Sequence, residues 1–314
     1  MSDRTYTYTN TKQAMNRVRA KSMPFAWSIN PYRGCAHGCS FCYARAFHPY
    51  LGLGANDDFQ NRILIKRNAP EALEAQLRAA VRKYGGRSAA IRNIGEIAVG
   101  TATDPYQPVE ANAGITRECL KVLAKYEVPA TITTRSPLIL RDLDILKEMN
   151  LVAVNISVNT MDPALMRLME PASPHPRKRM EAVAVLNANG IAAGVFLAPI
   201  LPLLTDSEET LDQLCSAARE HNAAFVMPSL LRLAPDVKRW YESALRRHFP
   251  HLLPRYAAIY FGAYPHKEYA GRTMERARSI IAKHGLKSAP GNRTTPAAAA
   301  EPAAEQICFS FGSD

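Results

Sequence analysis

Cysteine is scarce in this sequence, and what there is does not suggest a disulfide-stabilised protein. The 314 residues contain six cysteines, of which Cys119, Cys215 and Cys308 are far apart along the chain. Small secreted domains that depend on disulfides carry a denser set of cysteines in a much shorter chain. We therefore expect no disulfide framework, and we expect these three thiols to be packed in the core or to lie on the surface.

Long apolar runs are also missing. No stretch of about 18 apolar residues without charges occurs, so we expect no membrane span. The first residues, Met1–Tyr6, are polar and lack the apolar region of a secretory signal. Hydrophobic residues make up 47% of the chain, which is enough for a large core. These features predict one large domain with extensions, located in the reducing cytoplasm.

Positive charge is abundant but is not concentrated in one run. The formal net charge is +11, and a basic surface attracts phosphate polyanions. Lysine and arginine form only small clusters, at Arg17–Lys21, Arg82–Arg87, Arg177–Arg179 and Arg246–Arg247. Such scattered residues are equally typical of solvated helix faces. The composition leaves nucleic-acid contact and plain solvation as alternatives.

Three cysteines, in contrast, are close together. Cys35, Cys39 and Cys42 are spaced four and then three residues apart. Thiolates bind soft metals and iron–sulfur clusters, and close spacing allows one loop to direct all three sulfurs at one centre. Gly34 and Gly38 suit such a tight loop because glycine accepts a positive φ at little cost. No fourth cysteine lies nearby, so a cubane cluster held here would leave one iron open.

A structural zinc site is the alternative interpretation of this loop. His37 or His48 would then be the fourth ligand. Structural zinc sites usually contain paired Cys-x2-Cys knuckles, and the sequence has no second knuckle. The spacing favours a cluster over zinc.

The remaining chain alternates between strand and helix patterns, which predicts an α/β fold. Helical periodicity is expected around Glu71–Val81 and Ile115–Glu127. The predicted strands are Phe25–Ile29, Glu96–Gly100, Ala130–Thr134, Leu151–Val158, Ala192–Ala198 and Phe225–Met227. Six strands that alternate with helices indicate a parallel sheet wound as an open barrel. Functional groups of such barrels collect at the carboxyl ends of the strands.

The flanking segments differ from this pattern. Residues 1–22 are predicted to be a polar, loosely attached lead-in with a short helix near Lys12–Val18. The barrel is expected over 23–234 and a helical cap over 235–287. Residues 288–314 are rich in alanine and proline and are expected to form a flexible tail with an apolar end at Ile307–Phe311.

Polar side chains follow one face of the fourth predicted strand. Asn155, Ser157 and Asn159 share one side under the two-residue period of a strand. Polar groups inside a barrel are costly unless something bonds them. A bound polar cofactor and internal hydrogen bonding are both compatible with the pattern.

The Cys-x3-Cys-x2-Cys spacing, with Phe41 before the third cysteine, resembles the radical S-adenosylmethionine (SAM) enzymes. The wider sequence resembles the branch that contains spore photoproduct lyase and the DNA repair photolyase-like proteins. This likeness runs from about Met23 to Trp240. The segments that carry it are Asn30–Cys35, Cys42–Arg45, Thr103–Pro108, Thr133–Ser136 and Ala198–Ile200.

The resemblance implies a partial (β/α)6 TIM-type barrel with a C-terminal helical extension. It also implies a 4Fe-4S cluster on the three cysteines, SAM as second cofactor, and a reducing partner such as flavodoxin or ferredoxin. Cleavage of SAM would give a 5′-deoxyadenosyl radical that takes hydrogen from a nucleobase or nucleic-acid substrate. One alternative is the same chemistry on a peptide or small metabolite. The other is a zinc-stabilised, non-catalytic nucleic-acid-binding protein.

Several site residues follow from the same resemblance. Phe41 and Tyr43 flank Cys42 where the family packs the adenine, although plain core packing is the alternative. Arg135 corresponds to a basic residue near the methionine carboxylate, a group that a guanidinium binds bidentately.

Three further residues are expected to touch the cofactor. Ser157 corresponds to a serine that contacts SAM, and Asn159 follows it on the same side of the strand. Asp104 lies where many relatives hold the methionine amino group, but it would also cap the turn before Pro105.

The sequence departs from spore photoproduct lyase at one point. The lyase has a cysteine near the end of its second strand that donates a hydrogen atom to the product radical. The corresponding stretch here, Gly100–Asp104, contains no cysteine. Tyr106 is the predicted substitute donor, although a tyrosine next to Pro105 is usually only packed.

Overall fold

The computed structural model describes residues 4–18 and 23–290, which form two β-sheets surrounded by helices. The strands are β1 (Thr5–Thr9), β2 (Met15–Arg17), β3 (Trp27–Ile29), β4 (Tyr32–Arg33), β5 (Arg62–Lys66), β6 (Ile97–Val99), β7 (Ala130–Thr134), β8 (Leu151–Ser157), β9 (Ala193–Ile200) and β10 (Val226–Leu230). The helices are α1 (Asp58–Asn61), α2 (Ala69–Lys83), α3 (Arg87–Ile94), α4 (Glu110–Ala113), α5 (Ile115–Tyr126), α6 (Leu143–Glu148), α7 (Pro163–Met169), α8 (Pro176–Ala188), α9 (Glu208–Glu220), α10 (Pro235–His248), α11 (Leu253–Ile259) and α12 (Lys267–Lys283).

The larger sheet contains six parallel strands in their order along the chain. Its spatial order is β10-β9-β8-β7-β6-β3-β2. Every pairing from β3 to β10 is parallel, whereas β2 pairs antiparallel with β3. In the described part of the chain, β10 and β2 are not neighbours, so the barrel is open. The α/β fold with a partial (β/α)6 barrel is confirmed.

Alternating residues give this sheet two different faces. Ile132 of β7 and Val154 of β8 belong to the main buried core, together with Leu120 of α5 and Val183 of α8. Full burial of an aliphatic side chain of this size stabilises the fold by roughly 1.5–3 kcal/mol. The outer face of the sheet therefore holds the helices, and the inner face is left for polar and small side chains.

The N-terminal segment is part of the sheets, and the predicted helix near Lys12–Val18 is wrong. β1 pairs with β5 along its whole length, and Met15–Arg17 forms β2. The side chain of Gln76 accepts hydrogen bonds from the amides of Ala14 and Met15, both at 2.9 Å. Alternating threonine and tyrosine in β1 favours a strand. The segment is therefore attached by backbone pairing along β1 and β2.

A second core joins the C-terminal helices to the barrel. Tyr256 of α11 stacks on Tyr260 with ring centroids 5.9 Å apart, and the Tyr260 hydroxyl donates to the Leu231 carbonyl at 2.8 Å. The hydroxyls of Tyr241 and Tyr256 are 2.8 Å apart. These contacts fasten the expected helical extension to the end of β10.

The predicted alanine- and proline-rich tail lies mostly outside the described residues, which end at 290. Its flexibility, its apolar end at Ile307–Phe311 and the boundaries of the four segments stay predictions. Within the described ranges, none of the helices combines the length and apolar character needed to cross a bilayer.

Candidate functional site

The cysteine loop, residues 34–42, follows β4 and packs against the segment before β5. Gly34 has a φ of +75°, and a Cβ placed there would lie 2.8 Å from the carbonyl oxygens of Phe59 and Arg62. The next amide, that of Cys35, donates to the same Phe59 carbonyl at 2.9 Å. Only glycine has both the required backbone freedom and no Cβ. Gly34 therefore allows the close approach of the two segments that sets the position of Cys35.

All three thiols of this loop are shielded from solvent and none forms a disulfide. Cys35 and Cys39 are buried, and Cys42 is half-buried. Burial raises the pKa of the Cys39 thiol to about 12 and also raises the pKa values of Cys35 and Cys42. A thiolate is therefore stable here only beside a positive charge, which a bound metal supplies.

This donor set fits a cluster better than a single ion. In residues 4–18 and 23–290, no group of three or more His, Cys, Asp and Glu side chains is arranged to hold one metal ion. The thiolates of an iron–sulfur cube bind different irons, so they need not converge on one point. Zinc requires such convergence. Among the described residues, neither proposed fourth zinc ligand, His37 or His48, forms such a group with the thiols, and His37 lies 3.3 Å from Asp104.

Arg45 holds the cysteine loop in place. Its guanidinium donates to the carbonyls of Gly38 and Cys39, both at 3.0 Å. It also donates to the Asn56 carbonyl at 2.7 Å and to Gln60 Oε1 at 2.6 Å. The side chain is fully buried. No local sequence pattern indicates this role, although Arg45 lies in the Cys42–Arg45 segment that carries the resemblance.

Asp104 is the centre of a hydrogen-bond network below the loop. Its carboxylate accepts from the amides of Tyr106 and Arg135, both at 2.9 Å, and from the Thr134 hydroxyl at 2.6 Å. Burial acts to raise the pKa of Asp104, but the contact with His37 and these hydrogen bonds outweigh it and lower the pKa to about 2. The hydrogen bond from the Tyr106 amide matches the alternative in which Asp104 caps the turn at Pro105. Binding of the methionine amino group stays a prediction.

Arg135, at the end of β7, is oriented by an ion-pair network. Its Nη1 donates to Glu170 Oε2 at 2.7 Å, and Nη2 of Arg179 donates to the same oxygen at 2.7 Å. Burial acts to raise the pKa of Glu170, but the two arginines lower it to about 2. Glu170 and Arg179 were missed because nothing local signals a pairing across such distances. The role of Arg135 at the methionine carboxylate stays a prediction.

Two unpaired acceptors lie at the carboxyl end of β8. Asn155 donates through Nδ2 to Thr133 Oγ1 at 3.2 Å. Its Oδ1, and Oδ1 of Asn159, are buried with no hydrogen-bond partner among the described residues. Each unpaired buried acceptor costs about 1–3 kcal/mol. Together with the buried Ser157, these atoms would fit the polar groups of a bound cofactor, but Asn155 also forms one internal hydrogen bond. Cofactor binding by Ser157 and Asn159 stays a prediction.

The aromatic candidates occupy different surroundings. Phe41 is buried in the second core. Tyr43 is 41% exposed, and its hydroxyl donates to the Thr101 carbonyl. Tyr106 and Cys119 are fully buried in the main core. Phe41, Tyr106 and Cys119 are therefore packed in hydrophobic cores, as was expected for Cys119. The adenine contacts and the hydrogen-donor role of Tyr106 stay predictions.

These features define a class of protein: a partial β/α barrel that carries three buried thiols after its first parallel strand and polar groups at its strand ends. Residues 29–215 match the Radical SAM superfamily. This match spans more than half of the chain, and the chain belongs to that superfamily, whose members are enzymes.

Related sequences include uncharacterized proteins of bacteria and archaea. An uncharacterized protein of Mycobacterium tuberculosis is 34% identical over 280 residues, which cover 88% of this chain and 79% of the relative. An uncharacterized protein of Methanocaldococcus jannaschii is 30% identical over 206 residues, which cover 63% of this chain and 72% of the relative.

Solved structures share the fold. A mutant of spore photoproduct lyase matches with a TM-score of 0.66 at 14% identity, covering 89% of this chain and 79% of the lyase chain. A second lyase mutant, solved with bound AdoMet and dinucleoside spore photoproduct, matches with a TM-score of 0.64 at 14% identity, covering 89% and 78%. At this identity the likeness shows the fold alone.

Proposed function

We propose that this protein is a radical SAM enzyme that uses a 4Fe-4S cluster and acts on a nucleobase-bearing substrate. The observation that carries the proposal is the set of three thiols in one loop of a barrel that belongs to the superfamily, with Cys35 and Cys39 buried and Cys42 half-buried. Three soft donors without a fourth cysteine nearby suit a cluster that keeps one iron open to a second cofactor.

The chain's own residues bind and orient the cofactors. A cluster held by Cys35, Cys39 and Cys42 would supply the electron for cleavage of SAM, and SAM would supply the group that abstracts hydrogen from the substrate. Asn155, Ser157 and Asn159 offer polar atoms to SAM at the end of β8. Arg135, at the end of the adjacent strand β7, is held in position by its ion pair with Glu170. Its guanidinium suits the methionine carboxylate.

Two observations support a nucleobase-bearing substrate. The net charge of +11 favours polyanionic partners, and a lyase of the same fold has been solved with a dinucleoside photoproduct. Gly100–Asp104 contains no cysteine, so we do not propose dimer reversal by the lyase's own hydrogen-return step. A reductant such as flavodoxin or ferredoxin would supply the electron.

The test is anaerobic reconstitution with iron and sulfide, followed by reduction in the presence of SAM. We expect about four irons and four sulfides per chain and release of 5′-deoxyadenosine, measured by chromatography. Cys39→Ala should lose both iron and product, whereas Cys215→Ala, outside the loop, should keep both. Zinc in place of iron, or no 5′-deoxyadenosine from the iron-loaded protein, would contradict the proposal.

A further inference from the structure

A cavity of about 50 Å³ lies between the edge of the barrel and the turn that follows the cysteine loop. Its lining includes Asn16 of β2 and Ser28 of β3, which pair directly in the sheet. Tyr43 and Phe47, from the turn after the loop, also line it. We call this cavity the β2–β3 pocket. Of the residues predicted above to contact SAM, Tyr43 lines this pocket, whereas Phe41, Asp104, Arg135, Ser157 and Asn159 do not.

The β2–β3 pocket is lined by positive charge. Arg17, Arg33 and Lys66 contribute to its wall, and no aspartate or glutamate does so within the described ranges. Lys66 is buried, and its Nζ donates to the Asn30 carbonyl at 2.8 Å. Burial, assisted by repulsion from Arg33, lowers the pKa of Lys66 to about 7. An anion in the pocket would offset both the burial and the repulsion of these cations.

His48 gives a second, independent sign of a ligand. Its side chain is 2% exposed and lines the β2–β3 pocket. Neither of its ring nitrogens has a hydrogen-bond partner among residues 4–18 and 23–290. A buried imidazole with both nitrogens unpaired is costly, because each would be bonded in water. A ligand with oxygen atoms in the pocket would supply the missing partner.

The aromatic side chain of Tyr43, which lines the pocket, indicates what kind of group is attached to the anion. The ring of Tyr43 is 41% exposed and is fixed by the bond from its hydroxyl to the Thr101 carbonyl. A flat ring beside a basic cavity is the combination that binds a base and its neighbouring phosphate. Tyr43 also follows Cys42 directly, so a base stacked there lies next to the cysteine loop.

We propose that the β2–β3 pocket binds the phosphate of a nucleotide-type substrate and places the attached base against Tyr43. Arg17, Arg33 and Lys66 neutralise the phosphate, and His48 shares a hydrogen bond with it. The proposal rests on the proposed function, since it names the substrate class of that enzyme and the position of the substrate relative to the cluster.

The test measures binding to the full-length, iron-reconstituted protein by anaerobic calorimetry. We expect thymidine 5′-monophosphate to bind, thymidine to bind at least about tenfold more weakly, and inorganic phosphate to compete with the nucleotide. Lys66→Met and Arg33→Gln should each weaken nucleotide binding by about tenfold or more, the usual effect of losing a charged hydrogen bond. Arg92→Gln, exposed on α3, should not change it.

Arg17→Gln distinguishes a loss of binding from a loss of folding. The Arg17 side chain is exposed, so its replacement should weaken binding while leaving the fold intact. Equal affinity for thymidine and its monophosphate would overturn the proposal. So would preference for citrate over phosphate, or competition by SAM alone, which would make the pocket part of the cofactor site. Cleavage of SAM measured in the absence of nucleotide tests the proposed function separately. Cleavage without phosphate binding would contradict only the pocket proposal. Phosphate binding without cleavage would contradict only the proposed enzymatic function.

Discussion

Gly34 and Gly52 both adopt a backbone conformation that favours glycine, but only Gly34 also lies where a Cβ would overlap with neighbouring atoms. Both have positive φ angles, +75° and +70°. At Gly34 a Cβ would lie 2.8 Å from two carbonyl oxygens, whereas at Gly52 nothing lies within 4 Å of it. Replacement of Gly52 therefore tests backbone strain alone, and replacement of Gly34 adds a steric overlap with backbone that cannot move aside cheaply.

We predict different costs for the two alanine substitutions. Gly52→Ala should lower the free energy of unfolding by about 1 kcal/mol, the cost of a left-handed alanine. Gly34→Ala should lower it by about 3 kcal/mol or more, because the loop and the segment before β5 must separate. Urea unfolding followed by circular dichroism measures both. Equal losses, or full iron binding by Gly34→Ala, would show that the loop adapts.

The cysteines could be predicted from the sequence because their spacing is local, but the residues that support them could not. Asp104 receives hydrogen bonds from residues on β7 and lies against His37 of the cysteine loop. Glu170 meets Arg135 and Arg179 across the ends of three elements. Such pairs depend on the tertiary fold, so single-sequence patterns indicate at most that a polar residue stands at a strand end.

At the scale of elements, Arg45 connects three parts of the fold. Besides its hydrogen bonds to the cysteine loop and to the segment near α1, its guanidinium lies over two aromatic rings. The distances to the ring centroids are 4.9 Å for Phe59 and 4.7 Å for Trp240 of α10. A planar guanidinium is able to stack on both faces and bond several carbonyls in its plane, whereas a lysine ammonium is not.

We therefore predict that Arg45→Lys is not a conservative change. It should lower the free energy of unfolding by about 2–4 kcal/mol, since buried carbonyls lose their donors, and it should reduce the iron retained after reconstitution. Arg62→Lys is the matched control, because Arg62 forms a largely exposed i,i+4 ion pair with Asp58 and should change stability by less than about 0.5 kcal/mol. Similar effects of both substitutions would show that Arg45 contributes only its charge.

The six barrel strands were predictable, whereas the short or exposed strands β1, β2 and β4 were not. Barrel strands such as β6, β8 and β9 contain apolar runs between helical patterns, which is the usual signal of buried parallel strands. β1 lies at a sheet edge and is largely exposed, and β4 has only two residues. β2 has three residues and was mistaken for part of a helix. Short or exposed strands form because a neighbouring strand offers backbone partners, which a local pattern does not reveal.

At the scale of the whole molecule, the described part of the chain has two large hydrophobic cores, and the cysteine loop contributes side chains to only one of them. The main core lies between the barrel and helices such as α5 and α8. The second core contains Cys39 and Phe41 of the loop together with Tyr241 of α10 and Tyr256 of α11. A metal bound to the loop would therefore support the second core directly and the main core only indirectly.

We predict that removal of iron destabilises these two cores unequally. A ligand that binds only the folded state stabilises the parts whose opening would release it. Chelation of iron from the reconstituted protein should therefore increase amide hydrogen exchange in Pro235–His248 and Leu253–Ile259. Exchange in Ile115–Tyr126 should stay nearly unchanged. Mass spectrometry of the exchanged peptides measures both, and Cys39→Ala, which should hold no cluster, should show no response to the chelator. Equal acceleration in α5 and α10 would mean that the two cores open as one unit and that a metal on the loop stabilises both alike.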